Sequence, residues 1–137
     1  MMTQEQLPMV AMPSMNDTHL EDIILFNKLS SVIANRDTQA VTKVLNELHE
    51  HTIEHFAGEE KMMLEKEFPP YSMHKSEHEN ALAQMRHEIA LWEQNHDFNR
   101  IGHYANVTLP QWLIQHVSTL DTVTAQFLVT GVSPCSM

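Results

Sequence analysis

Apolar positions recur along this chain at intervals of three and four, and strict alternation is absent. That spacing keeps one face of a helix out of water and argues against half-buried strands. Val41, Val44, Leu45 and Leu48 open one such stripe, and Ala81, Leu82, Met85, Ile89 and Trp92 form a second. Ile101, Ala105, Leu109, Trp112, Leu120 and Phe127 make a third, and Ile23 and Phe26 start another near the N-terminus. Breakers are few, with three glycines and six prolines. The pattern predicts four helices, at about 16–35, 37–66, 71–95 and 98–129. Asn35-Arg36-Asp37 makes the first turn, with Asp37 as an N-cap, Phe68-Pro69-Pro70 stops the second helix, and Asn95-His96-Asp97 parts the third from the fourth. Gly131 and Pro134 end the order. Connections this short force neighbours to run antiparallel. The expected fold is all-α, an up-down-up-down four-helix bundle over 15–130, with a loose N-terminal arm at 1–14 and a C-terminal tail at 131–137.

Polar residues interrupt the apolar stripes at particular places. His55 and Glu59 share the face of Val44 and Leu48, His74 and His78 that of Leu82 and Met85, and His116 that of Leu109 and Trp112. His19 aligns with Ile23, Phe26 and Ser30. A polar group buried without a partner costs several kcal/mol. A lone histidine on such a face usually bonds a backbone carbonyl. Inward clusters on four helices are different, because a bundle can turn His19, His55, Glu59, His74, His78, His116 and Asp121 toward one interior spot. Five imidazoles and two carboxylates in one place constitute a metal site. A purely structural zinc site fits poorly, since it wants four closed ligands rather than seven.

Composition narrows the partners. A formal charge of −10 would repel phosphate backbones, which argues against nucleic acid. No segment is long and apolar enough to span a bilayer, so no membrane partner is expected. The single Cys135 cannot form an internal disulfide, which makes the cytoplasm the default compartment. No exposed apolar stripe is evident in the pattern, and a monomer is favoured.

The ordered motifs carry a resemblance. His19 followed by Asn27 and Leu29, then His55-Phe56-Ala57-Gly58-Glu59-Glu60, His74 to His78, and Trp112-Leu113-Ile114-Gln115-His116 to Asp121 make the chain resemble the hemerythrins, in particular their single-domain bacterial branch. The likeness covers about residues 15–128. It implies two non-haem iron ions with an oxo or hydroxo bridge. His74, His78 and His116 would hold one iron, His19 and His55 the other, and Glu59 and Asp121 would bridge both. One coordination position stays open, where dioxygen would bind end-on as a hydroperoxide and leave again unchanged. Such a protein carries, stores or senses oxygen and needs no catalytic acid or base. Ile23, Met62, Trp112 and Leu113, each about one turn from a ligand, are the expected walls of an oxygen pocket, with Met63 an ordinary core residue.

Four features depart from a smooth fit. Asp121 is five residues after His116, an offset of about 140° on a regular helix, which calls for a π-type bulge or an oblique approach. Pro110 inside the fourth helix implies either a kink near Asn106 or a fresh start capped by Thr108. Asp22 stands where the family usually has an apolar residue. Facing the open position, it could coordinate iron or donate a proton, turning a carrier into an enzyme that consumes oxygen, peroxide or nitric oxide; beside Glu21 in solvent, the favoured placement, it does neither. His51, one turn before His55, could compete as a ligand or hydrogen-bond behind one. His49, His87, His96 and His103 read as surface residues, and Glu60, Lys61, Glu65 and Lys66 as a solvated face.

Overall fold

A computed structural model describes residues 2–131. Helix α1 is Pro13–Ala34, α2 is Thr38–Glu65 and α3 is Tyr71–Asn95. The fourth helix, α4, covers residues 98–130 and changes pitch twice along its length. Among the described residues there is no strand, and the four helices form the expected antiparallel bundle. No helix among them is long and apolar enough to cross a membrane. Expectations about Pro134 and Cys135 concern positions outside the described residues.

Local chemistry sets the helix ends. Asp37 accepts a hydrogen bond from the Ala40 N–H, and Asp97 accepts one from Arg100, so each occupies an N-cap as a carboxylate should. The three connections each pass through one residue in the left-handed region, Arg36, Glu67 and His96. Gly131, at φ 73°, ends α4 in the way glycine permits without strain. Helix α1 begins at Pro13, slightly earlier than expected, because proline is well suited to the first turn.

The arm that the sequence suggested was loose is packed instead. Gln4–Gln6 forms a short 3-10 turn, and Met2 and Val10 are buried. Two asparagines on α1 hold it there. Asn27 Oδ1 accepts from the Met2 N–H at 3.1 Å while its Nδ2 donates to Met2 O at 2.9 Å, and Asn16 does the same for both backbone groups of Val10. These side-chain amides supply the backbone partners that a helix or sheet would otherwise provide.

At one end of the bundle the core is conventional: Leu29, Val41, Leu45, Leu48, Trp92 and Ile101 are at most 2% exposed. Toward the other end the same interior stripes carry imidazoles and carboxylates. Helix α4 adapts to this by two π segments, Tyr104–Thr108 and Val117–Asp121. The first takes up the proline. Thr108 keeps helical angles and makes no side-chain cap, so there is no fresh helix start; the Leu109 N–H bonds to Tyr104 O five residues back, just before Pro110 interrupts the ladder. The second realigns His116 with Asp121. In a π turn the residue five positions on comes round to the same face, and Thr122 reinforces the turn by bonding Val117 O through both its N–H and its hydroxyl.

Candidate metal centre

All seven inward polar residues meet in the interior, none more than 8% exposed. His19 comes from α1, His55 and Glu59 from α2, His74 and His78 from α3, and His116 and Asp121 from α4. On α2 the two positions are four apart and therefore on one face, with Glu59 Oε2 2.6 Å from His55 Nε2. Asp121 Oδ2 reaches His19 Nε2 at 2.8 Å. The opposite oxygens face elsewhere. Glu59 Oε1 lies 3.3 Å from His78 Nε2 and 3.5 Å from His74 Nε2, while Asp121 Oδ1 lies 3.0 Å from His116 Nε2 and 3.1 Å from His74 Nε2. Two groups result: three imidazoles with two carboxylate oxygens, and two imidazoles with the other two oxygens.

The donor set fits cations. His74 Nδ1–H donates to the Thr124 hydroxyl at 2.8 Å, His78 Nδ1–H to Glu60 at 3.0 Å, and His116 Nδ1–H to Glu77 at 2.7 Å. With those protons on Nδ1, each ring in its neutral form turns a lone pair inward from Nε2. The lone pairs converge, since His116 Nε2 is 3.2 Å from that of His74 and 3.3 Å from that of His78. Facing lone pairs repel unless a positive charge sits between them. With metal–nitrogen bonds of about 2.1 Å, adjacent ligands of an octahedral ion stand about 3 Å apart, which matches this convergence. Glu59 Oε1 and Asp121 Oδ1, both buried, lack a hydrogen-bond partner of good geometry, a further sign that something other than a proton donor completes them. Aromatic rings brace the imidazoles: Phe56 stacks on His78 at 3.9 Å with the planes parallel, and Trp112 stacks on His116 at 4.5 Å.

Comparison with known proteins agrees with this chemistry. A family model described as the hemerythrin HHE cation binding domain matches residues 14–127. The chain belongs to the hemerythrin family. A bacteriohemerythrin of Aquifex aeolicus is 30% identical over 114 residues, 83% of this chain and 87% of that protein. Those of Ralstonia nicotianae and Methylococcus capsulatus are 31% and 25% identical, over 75% and 77% of this chain and 74% and 79% of theirs. A solved crystal structure of a leucine-to-phenylalanine mutant shares the fold, with a TM-score of 0.75, 19% identity, and coverage of 93% of this chain and 95% of that one.

This hemerythrin differs from the sequence expectations at several polar positions. Asp22 is not in solvent beside Glu21. It is 3% exposed and points inward, with Oδ1 accepting from His51 Nε2 at 2.8 Å and Oδ2 3.2 Å from His55 Nδ1. The cause is packing of α1 on α2: one turn after His19 lies on the same buried face, and a histidine on each side offers a counter-charge. His51, half-buried, therefore bonds behind a cluster histidine. Glu60 is not idle surface either, because its carboxylate holds His78. His49 is half-buried, with Nε2 out of water and lacking a partner, while His87, His96 and His103 are exposed as expected. Glu77 and Thr124 were not anticipated. Glu77 is 39 residues from His116 and Thr124 is 50 from His74, each on a different helix, so no spacing rule marks them.

A cavity of about 30 Å³, room for roughly two waters, adjoins the smaller group. Of the four expected wall residues, Trp112 and Leu113 line it, together with apolar Phe56, Met85 and Leu109 and the polar Asp22, His55, Thr52, Gln84, Tyr104 and Thr108. Ile23 is instead buried beside His19 at a different cleft, and Met62 is partly buried against the core. Met63 is fully buried core, as read.

The charges of the metal-free hemerythrin follow from the same contacts. Burial would hold His74 neutral, but the close carboxylates of Asp121 and Glu59 raise it to about 9. Burial would likewise raise Asp121, yet the imidazoles of His116, His19 and His74, all within 3.1 Å, keep it well below the usual carboxylate range. Burial opposes ionisation of Asp22 too, and His55 and His51 outweigh it, leaving an anion. A proton thus takes the place of a metal at His74 below about pH 9, and an incoming cation must displace it. Metal uptake by metal-free protein should release protons at pH 7.5 and tighten as pH rises toward about 9. Calorimetry in buffers of different ionisation enthalpy measures this; uptake with no buffer dependence and a flat pH profile would contradict the protonated cluster.

Proposed function

We propose that this hemerythrin holds two iron ions and binds dioxygen reversibly. The observation that carries the reading is that Glu59 and Asp121 each present one oxygen to each group of histidines, the arrangement of two bridging carboxylates. His74, His78 and His116 would hold one ion, and His19 and His55 the other. The protein thus offers one imidazole fewer to the second ion, and that is the side where dioxygen would be taken up. Two ferrous ions would there supply the two electrons that reduce dioxygen, reversibly, to the level of peroxide.

The protein's part is to orient and to exclude. Thr124, Glu60 and Glu77 fix the tautomer and tilt of three ligand rings, and Phe56 and Trp112 clamp two of them from the side. His55, on that second side, lines the cavity, where Phe56, Trp112 and Leu113 keep water sparse. A dry pocket denies bound oxygen the protons that would carry it off irreversibly. Asp22 on the same wall supports a second reading, an enzyme that consumes oxygen, peroxide or nitric oxide. Ferrous protein prepared without oxygen and then exposed to air separates the two. A coloured species that disappears under argon supports reversible binding, whereas prompt oxidation with release of hydrogen peroxide supports turnover and overturns the carrier reading.

A further inference from the structure

Four of the five cluster histidines have an outer nitrogen that meets a neutral hydroxyl, a carboxylate open to water, or nothing. His74 meets Thr124, and His19 Nδ1 has no hydrogen-bond partner. His78 and His116 meet Glu60 and Glu77, whose side chains are 21% and 39% exposed. His55 alone faces a buried carboxylate, Asp22, whose side chain is 5% exposed. Solvent screens the charge of Glu60 and Glu77, but little screens that of Asp22.

Asp22 is also held in place from the far side. His51 Nε2–H donates to its Oδ1 at 2.8 Å, which leaves Oδ2 buried without a hydrogen bond of good geometry, in ion-pair contact with His55 Nδ1 at 3.2 Å. His51 itself is 3.8 Å from the exposed Glu21 carboxylate, so the line runs Glu21, His51, Asp22, His55 from the surface to the cluster. Through it a fixed negative charge bears on one imidazole. That imidazole belongs to the group with fewer protein ligands and borders the cavity. A buried carboxylate against the outer nitrogen of an imidazole makes the ring a stronger donor through its other nitrogen, and a nearby anion favours the more highly charged ion.

We infer that Asp22, steadied by His51, is a positioning residue that biases the ion held by His19 and His55 toward the ferric state. The inference rests on the di-iron reading above and adds an asymmetry to it. One side of the centre gives up its electron more readily than it would behind an apolar residue. The oxidised protein is correspondingly harder to reduce.

The test compares wild type with Asp22→Asn and Asp22→Leu after ferrous loading without oxygen. Iron content and circular dichroism establish that each variant is folded and loaded, and an anaerobic redox titration gives the midpoint potentials. Asparagine keeps the shape and can still accept from His51, but carries no charge. Both variants should show a higher potential on one iron and slower oxidation in air, with ferric iron released to a chelator about 10- to 100-fold more easily than from wild type and ferrous iron held nearly as before. Unchanged potentials in both variants, a shift in Asp22→Leu alone, or equal weakening toward ferrous and ferric iron would each overturn the inference. Wild-type protein that fails to take up an iron pair would instead overturn the di-iron reading, so the two failures are distinguishable.

Discussion

Asp121→Ala should reduce the iron content of protein loaded under anaerobic conditions from two ions per chain to none, while its helical circular dichroism persists. Asp121 is fully buried, and its two oxygens serve different groups: Oδ1 stands 3.0 Å from His116 Nε2 and 3.1 Å from His74 Nε2, and Oδ2 2.8 Å from His19 Nε2. Alanine therefore removes an anion from both positions at once. The remaining imidazoles must then share one carboxylate, Glu59, between two cations. His19→Ala provides the contrast. It touches only the smaller group, whose four donor atoms fall to three, so one ion should remain in the larger. Metal analysis after desalting reads both results directly. Retention of two ions by Asp121→Ala, or loss of both from His19→Ala, would contradict a centre bridged by carboxylates.

Trp92→Ala should be among the most destabilising single changes, at about 3–5 kcal/mol. The side chain is 2% exposed at the end of α3 remote from the cluster. Its Nε1–H donates to the Thr42 hydroxyl at 2.9 Å, and its ring meets those of His96 and Phe98, each at 5.0 Å between centroids. Alanine leaves a large void and removes the donor from the Thr42 hydroxyl, which keeps only its own bond to Thr38 O. For a chain of this size the loss corresponds to a fall in Tm of roughly 10 °C or more. Trp92 is fourteen residues from His78, about 21 Å along the helix, so the folded variant should still bind two ions. Thermal unfolding of metal-free and loaded forms checks both parts. A shift of only a degree or two would mean that this end of the core collapses around the gap.

Loss of metal and loss of stability thus separate along the bundle, and the sequence shows where. Interior stripes are apolar through Leu45 and Leu48 and turn polar two helix turns later at His55 and then Glu59. Periodicity reveals this because a helix repeats its own face every three or four residues whatever it packs against. The helix ends were equally legible, since Asp37 and the Phe68-Pro69-Pro70 stop act on backbone groups a few residues away. The five-residue spacing from His116 to Asp121 was visible as a misfit, and the π segment Val117–Asp121 is the form the misfit takes.

Other residues were visible only as letters. Asp22 reads like a neighbour of Glu21 in water, and Glu60 like a partner of Lys61; neither local pattern says what another helix will bring against it. Burial of Asp22 depends on His51 and His55 arriving from α2, and the roles of Glu60 and Glu77 depend on rings from α3 and α4. The packed arm belongs to the same class, because Asn27 and Asn16 bind backbone that lies far behind or just before them in the chain. The sequence by itself determined four helices, their antiparallel order, and the seven inward polar residues, since each follows from contacts within a turn or two of one helix. Tertiary structure alone decided which nitrogen and oxygen atoms face each other, which carboxylates stand behind the histidines, and where the cavity lies. Those depend on distances between helices, which no periodicity along a single helix encodes.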